Sequence, residues 1–405
     1  MLMGKLKRII SILLVLCFTV AFTSCGEDSP QEVTPNETTQ TAENEPSEEI
    51  TVLSLNKEYV SHYEWYEDYP KMLVRSEYST VTLDESAQKK YSALSQILSE
   101  ASVMRKRTME DEKDNLLADA TREFMNDGEA FSTCISTLDV KVRRADSVAL
   151  SILEDYYSDY GRALNGLNYD TQSGNLLTLS DVVTDVSKLP SAVENIVLKR
   201  IGEEDSTGET AVSAYFNNTS QNDINWTLEY NGITFWFNPG EIAPTNFGVQ
   251  TVTLTFAQYP DLFNEKYTAV PDAYTVALPL ASWSYTDVTG DKQADGIFVT
   301  GDYYEDSGVY NTLCIDTDTS QYEEELFAYG LDPYYVKSAD GNSYICVFSL
   351  NEAGETRDTS CTVFSLENGV IKNLGTKDIA PVNKGNNVLA LPTNPEKLFS
   401  VFADF

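Results

Sequence analysis

The chain has 405 residues and a single histidine, His62. Metal hydrolases gather several imidazole ligands, and Ser/His or Cys/His nucleophiles need an imidazole held as base. His62 sits among aromatics in Ser-His-Tyr-Glu-Trp-Tyr and reads as a packed or surface residue. The sequence also lacks a phosphate-binding GxxxxGK loop, a GxSxG elbow, an HExxH helix and any CxxC pair. Basic residues are scarce: 28 Lys and Arg face 63 Asp and Glu, a net charge of −35. Nucleic acid, whose binding requires phosphate neutralisation, is not expected as a partner, and neither is an anionic membrane surface. A field of this sign favours solubility and steers cationic partners inward.

What is present begins at the N-terminus. Lys5, Lys7 and Arg8 precede an apolar run from Ile9 to Phe22, followed by Thr23-Ser24-Cys25-Gly26. A basic start, a short greasy run and small residues make an export signal. The run falls short of the roughly 20 apolar residues of a spanning helix. A Cys directly after small residues resembles the lipobox of bacterial lipoproteins, with Phe22 where that motif usually has Leu. The resemblance implies cleavage after residue 24, lipidation of Cys25 and two acyl chains holding the protein on the extracytoplasmic face of the cell membrane. Nucleotides are not expected as ligands there.

Residues 25–50 carry eight acids and no base, with Thr, Pro, Asn and Gln and almost no large apolar side chain. Such a segment cannot bury enough surface to offset its ordering entropy, so a disordered acidic tether is expected. The body that follows keeps 55 acids against 25 bases. Its length suits two domains by the usual prior of roughly 150 residues each. Four cysteines remain there, Cys134, Cys314, Cys346 and Cys361, compatible with three disulfide pairings or with buried free thiols.

Alternating apolar and polar residues over 51–83 predict two strands. Asp84 then caps a helix whose stripe runs Tyr91, Leu94, Ile97, Leu98, Ala101, Met104, then Leu116, Leu117, Ala120, Phe124. With no Pro or Gly over 85–127, one long amphipathic helix is predicted, with Arg105, Lys106, Arg107 and Glu110 to Lys113 on a solvated face. Strands are expected over 132–143, 147–157, 226–230, 233–237 and 250–256, and a helix over 192–201. Short β runs with Asp/Gly turns follow: 297–301, 311–315, 343–350 and 360–366. The fold class is α+β: a mixed helix and antiparallel-sheet domain over 51–282, then a smaller all-β domain over 283–405, a meander or partial propeller-like unit.

Three segments carry a further resemblance. They are Val142-Arg143-Arg144-Ala145-Asp146-Ser147-Val148-Ala149-Leu150-Ser151, then Leu167 to Val183 with Tyr169-Asp170-Thr171-Gln172-Ser173-Gly174-Asn175, then Phe235-Trp236-Phe237-Asn238-Pro239-Gly240-Glu241-Ile242-Ala243-Pro244. Over roughly 55–282 the chain resembles the domain of unknown function in the outer part of lysozyme-sensing anti-sigma factors and in the N-terminal part of some peptidoglycan deacetylases. The resemblance implies an α+β fold and protein binding, with no chemistry, because the deacetylase activity lies in a separate domain. The family loop carries Tyr after each of its two Pro residues, where this chain has Gly240 and Thr245; a Gly-Gly-Ala-His stretch is replaced by Gly161-Arg162-Ala163-Leu164 and its neighbours.

The loop is also legible physically. Pro239 and Pro244 fix φ, and Gly240 and Gly248 permit positive φ, so 238–248 reads as rigid. A rigid loop loses less entropy on association. Asn238, Pro239, Glu241, Ile242, Pro244 and Phe247 are the expected partner-binding residues, with a structural connection as the alternative. A second loop, Asp287 to Gly296, places Asp287, Thr289, Asp291, Gln293 and Asp295 at alternate positions, a spacing that suits Ca2+. Asp302, Glu305 or Asp306 could complete the set, and a plain hairpin loop is the alternative. Tyr303, Tyr304, Tyr310, Tyr334 and Tyr335 cluster in sequence and suit sugar stacking or core packing. With 55 acids in the body, no carboxylate pair stands out for glycoside hydrolysis, and Glu323-Glu324-Glu325 reads as a solvated run. The expectation is a non-enzymatic surface lipoprotein binding a lysozyme-like cationic protein or peptidoglycan. The alternatives are a carboxylate-dependent envelope glycan hydrolase and a structural envelope protein.

Overall fold

The structure, a computed structural model, describes residues 49–66, 71–159, 161–201, 207–289, 291–304, 309–350, 359–379 and 388–390. The expected signal segment 1–24, Cys25 and the tether up to residue 48 lie outside the described residues, as do Glu305 and Asp306. No described helix is long and apolar enough to cross a membrane.

In chain order, the first half runs β1 (Leu55–Trp65), β2 (Met72–Leu83), α1 (Glu85–Lys90), α2 (Ser92–Asp127), β3 (Cys134–Ala145), β4 (Ala149–Ser158) and β5 (Gly161–Asp170). Next come α3 (Leu179–Val182), α4 (Leu189–Ile201), α5 (Thr207–Asn218), β6 (Trp226–Leu228), β7 (Gly232–Phe237), β8 (Gln250–Thr255) and α6 (Glu265–Thr268). The described remainder is all β: β9 (Tyr274–Ala277), β10 (Ser284–Thr286), β11 (Asp295–Thr300), β12 (Tyr303–Tyr304), β13 (Val309–Thr317) and β14 (Gln321–Ala328). It ends with β15 (Gly330–Lys337), β16 (Ser343–Leu350), β17 (Thr359–Glu367), β18 (Val370–Ile379) and β19 (Val388–Ala390). The α+β class holds, with no closed barrel among the described residues.

The first sheet has the order β19-β1-β2-β3-β4-β5. Its β2–β3 pairing is parallel, because the long helix α2 carries the chain across the sheet between them and a parallel pair needs such a crossover. Asp84 caps α1 by accepting from Ala87 N at 2.8 Å. The predicted continuous helix is interrupted at Tyr91, which is buried with φ −119° and ψ 58°. Along α2 the buried residues are Leu94, Leu98, Arg105, Met109, Leu116 and Ala120. They alternate spacings of four and seven, an eleven-residue repeat that keeps one stripe on the sheet for the whole helix. Arg105 occupies a stripe position, which corrects its assignment to the solvated face. It is 1% exposed and meets Glu154 of β4 at 2.5 Å. β5 was not anticipated, because Gly161, Asn165, Gly166 and Asn168 dilute its pattern. Gly166 is required: a Cβ there would stand 2.0 Å from the Trp226 carbonyl oxygen of β6.

In the second large sheet, β18-β17-β16-β15-β9, the strands β15 to β17 are buried on both faces and β18 is largely exposed. Tyr334, Val336, Cys346, Cys361 and Val363 pack with Leu55, Val81 and Val142 of the first sheet. The alternate residues Tyr335, Ile345, Val347, Phe364 and Leu366 pack with Ile297, Val299, Leu313 and Ile315 of the sheet β10-β11-β13-β12, to which β14 adds. Period-two alternation between two apolar sets is what a strand covered on both faces requires. β9 precedes the expected boundary at 282, yet it pairs with β15. β14 was hidden by its charges: Glu323 and Glu325 face solvent from an edge strand, which blunts edge pairing. Among the four body cysteines all thiols are free, and Cys346 and Cys361 are buried. A small sheet, β6-β7-β8, packs with α3, α4 and α6 around Phe235, Phe237, Val193 and Tyr267.

Two adjacent arginines tie these parts together. The β3–β4 register slips between Val142 and Arg144, and this bulge lets consecutive side chains, Arg143 and Arg144, both turn inward. Arg143 donates through Nε (2.9 Å) and Nη2 (2.8 Å) to Glu229 and through Nη1 to the Ala277 carbonyl at 2.5 Å. Its guanidinium lies 5.2 Å from the Trp236 ring centroid. Arg144 pairs with Asp146 at 2.8 Å and donates to the Tyr267 and Ala269 carbonyls at 2.7 and 3.0 Å. The Arg-Arg-x-Asp motif is therefore an internal clamp. Glu229→Ala leaves a buried guanidinium without its counter-charge and is expected to cost about 3–5 kcal/mol; urea unfolding of the variant against the parent measures it.

Candidate functional site

The expected partner-binding residues divide by direction. Asn238 faces inward: its Oδ1 accepts from Leu164 N at 2.7 Å and its Nδ2 donates to Leu164 O at 3.4 Å, fastening the loop to β5. Glu241 folds back to accept from Asn238 N at 2.7 Å. Ile242 is buried in the core under the small sheet. Pro239 is half-buried and Pro244 exposed. Residues Thr245–Phe247 form a single 3-10 turn, with Phe247 N donating to Pro244 O at 2.9 Å. The turn ends at Gly248, whose φ of +67° suits glycine. At its tip the Phe247 ring is 65% exposed. Both alternatives are thus present: the base of the loop is structural, and its tip offers an aromatic anchor on a fixed backbone.

The Asp287–Gly296 loop is closed on itself. Asp295 Oδ2 accepts from Val288 N (2.7 Å), Thr289 N (2.8 Å) and Thr289 Oγ1 (3.1 Å). Asp287 accepts from Lys292 N at 3.0 Å and Asp291 from Gln293 N at 2.8 Å. Among the described residues, no three His, Cys, Asp or Glu side chains stand together as a metal site. As arranged, the donor set does not fit a calcium shell, which wants six to eight converging oxygens.

A constellation that the sequence did not suggest lies where the first sheet meets β15. Asp139 of β3 and Asp332 of β15 share Lys141, each 2.7 Å from its Nζ. Lys57 of β1 reaches Asp139 at 2.7 Å and Asp332 at 3.6 Å. Tyr59 and Tyr334 donate to Asp332 at 2.9 and 2.7 Å, and Ser79 donates to Asp139 at 2.6 Å. Both lysines are buried while the carboxylates keep an edge to solvent. Burial alone would push both carboxyls up, but Lys141 and Lys57 more than reverse it and hold them below the usual range. Burial likewise opposes the lysine charges, and the two carboxylates more than restore them. Two acids held ionised cannot divide into a proton donor and a base. Glu112, raised by burial, hydrogen-bonds Ser136 and Tyr156 on the opposite face of the sheet. Of the sequence-clustered tyrosines, Tyr334 and Tyr335 are buried, Tyr304 is exposed, and Tyr303 and Tyr310 are half-buried with ring centroids 5.0 Å apart. Only the polar alternation of β1 to β3 could have pointed to this cluster.

Residues 180–257 match the family model of a protein of unknown function, DUF3298. The matched stretch runs from α3 to just past β8 and contains the 238–248 loop. It is narrower than the 55–282 span read from motifs, and the 142–151 segment lies outside it. Two solved structures are similar. A DUF3298 family member from Bacteroides fragilis is 14% identical at a TM-score of 0.37, covering 53% of this chain and 94% of its own. A DUF3298 family protein from Pseudomonas aeruginosa PAO1 is 14% identical at a TM-score of 0.36, covering 54% of this chain and 97% of its own. Among curated proteins none matches.

The charge cluster sets a pH window. Carboxyls lowered in the folded state add stability above their unfolded value of about 4, lost as pH falls through the folded values. Lysines raised in the folded state add stability below about 10.4, lost as pH rises through the folded values. Asp332→Ala, which leaves two buried ammonium groups to the single carboxylate of Asp139, is expected to cost about 3 kcal/mol at neutral pH and to flatten the acid limb of a melting-temperature profile. An unchanged acid limb would show that the cluster adds nothing.

Proposed function

We propose that this is a surface lipoprotein of the cell envelope, anchored through Cys25 and residues 25–50, that binds a cationic protein through the tip of the 238–248 loop. The reading is carried by Phe247, an exposed ring on a loop whose base is bonded to β5. An aromatic on a fixed backbone is the kind of residue that anchors an interface, since little entropy is lost in placing it. The net charge of −35 supports the sign of the partner. The loop also lies within the stretch matched by the family model, and the resemblance to lysozyme-sensing ectodomains supports lysozyme as the first probe. Catalysis is not part of the proposal: the carboxylates of Asp139 and Asp332, which face each other across Lys141, are both held below the usual range by the two lysines.

The test is titration of the full chain in detergent with lysozyme. A complex that persists at about 0.15 M salt, beyond simple screening, and weakens about tenfold or more in Phe247→Ala is the expected outcome. Attraction that disappears with modest salt and is indifferent to Phe247→Ala would reduce the interaction to net charge and leave the loop a structural connection.

A further inference from the structure

The face of the first sheet turned away from α2 is apolar where Val81, Leu83 and Leu153 lie buried and polar toward the end that carries Tyr63 and Tyr157. Directly paired residues share a face, so the registers define rows across it. Ser61, Glu77, Thr137, Tyr157 and Arg162 form one row, and Tyr63 sits opposite Arg75 in the next. One end of this face is closed by β15 over Lys57 and Lys141. Over Arg75 stands β12, since Arg75 Nη1 donates to the Tyr303 hydroxyl at 2.7 Å. Arg162 donates to Ser282 Oγ at 3.0 Å at the far side. Between these walls the rings of Tyr63 and Tyr157 remain 37% and 45% exposed.

Every charge described on this face is answered within it. Arg75 pairs with Glu77 at 2.9 Å, Arg162 with Asp155 at 2.6 Å, and Lys57 and Lys141 with Asp139 and Asp332. Four cations and four carboxylates make a neutral groove on a molecule whose net charge is −35. Such a surface offers neither sign to an ion, a nucleic acid or a basic protein. It offers flat rings, and carboxylate, hydroxyl and guanidinium groups that exchange hydrogen bonds.

We propose that this groove binds an uncharged saccharide chain, with Tyr63 and Tyr157 stacking on sugar rings and Glu77 and Thr137 meeting the hydroxyls. Sugars present C–H faces to aromatic rings and paired hydroxyls to planar carboxylates and guanidinium groups, which is the complement of this lining. From β1 to β4 the row from Ser61 to Tyr157 spans about 14 Å by strand spacing, room for roughly three rings. The site is separate from the Phe247 tip, so its occupancy does not rest on the protein-binding reading.

The test uses the full chain in detergent and three neutral probes, the tetrasaccharides of N-acetylglucosamine, β-1,4-glucose and α-1,4-glucose, followed by calorimetry. Binding of at least one is expected, nearly constant between about 0.05 and 0.5 M salt because no net charge is neutralised. Tyr157→Ala is expected to weaken it about tenfold, Tyr157→Phe to leave it close to the parent, and Phe247→Ala to leave it unchanged. Tyr157 is exposed, so circular dichroism of the alanine variant should match the parent. No binding of any probe, binding equal in Tyr157→Ala and the parent, or binding abolished by salt would overturn the proposal.

Discussion

Arg143 and Arg144 hold this molecule together because each satisfies partners from separate segments at one point. The β3 bulge turns both side chains inward, and the guanidinium forks then take up Glu229, Asp146 and three backbone carbonyls from 267–277. Burying an arginine is costly unless its charge is answered, and spending its donors lowers the cost further. Once those conditions are met, the small sheet, the strand β9 and the first sheet are fixed relative to one another. The Trp236 and Tyr230 rings beside the two guanidinium groups close the arrangement against water.

The same principle recurs on the sheet face beyond the clamp. Lys57, Lys141, Asp139 and Asp332 join strands far apart in sequence, and the tyrosine hydroxyls of β1 and β15 supply further donors to Asp332. Toward its open end the face keeps its polarity and its pairing but loses its cover, which is how one sheet surface serves both as a joint and as a groove. The 238–248 loop divides its residues similarly: Asn238 and Ile242 are committed to the body and Phe247 is left outside. The proposed contacts are therefore made by the exposed remainders of structural elements, which keeps them pre-organised.

Several elements were legible because a local signal specified them. Asp84 marks the helix start through its side chain, the strands of 343–350 and 360–366 show in their apolar runs, and Pro and Gly frame the 238–248 loop. Others were not, for identifiable reasons. β5 carries glycines and asparagines because it runs against the backbone of β6, and β14 carries glutamates because it is an edge. Arg105 read as surface because a charge was taken to exclude burial, whereas Glu154, 49 residues away in sequence, receives it. The Asp-rich loop had a spacing suited to a cation, but its carboxylates are taken up by its own N–H groups.

The sequence by itself determined the α+β class, the long helix, the acidity, the scarcity of imidazole and the rigidity of one loop, since each follows from composition or from contacts a few residues apart. Only the tertiary structure decided which charges are buried, which carboxylates face each other and which tyrosines remain exposed. Those outcomes depend on pairings between strands up to 273 residues apart, as between Tyr59 and Asp332. A side chain's chemistry is written locally, but its desolvation and its partner are properties of the packed whole.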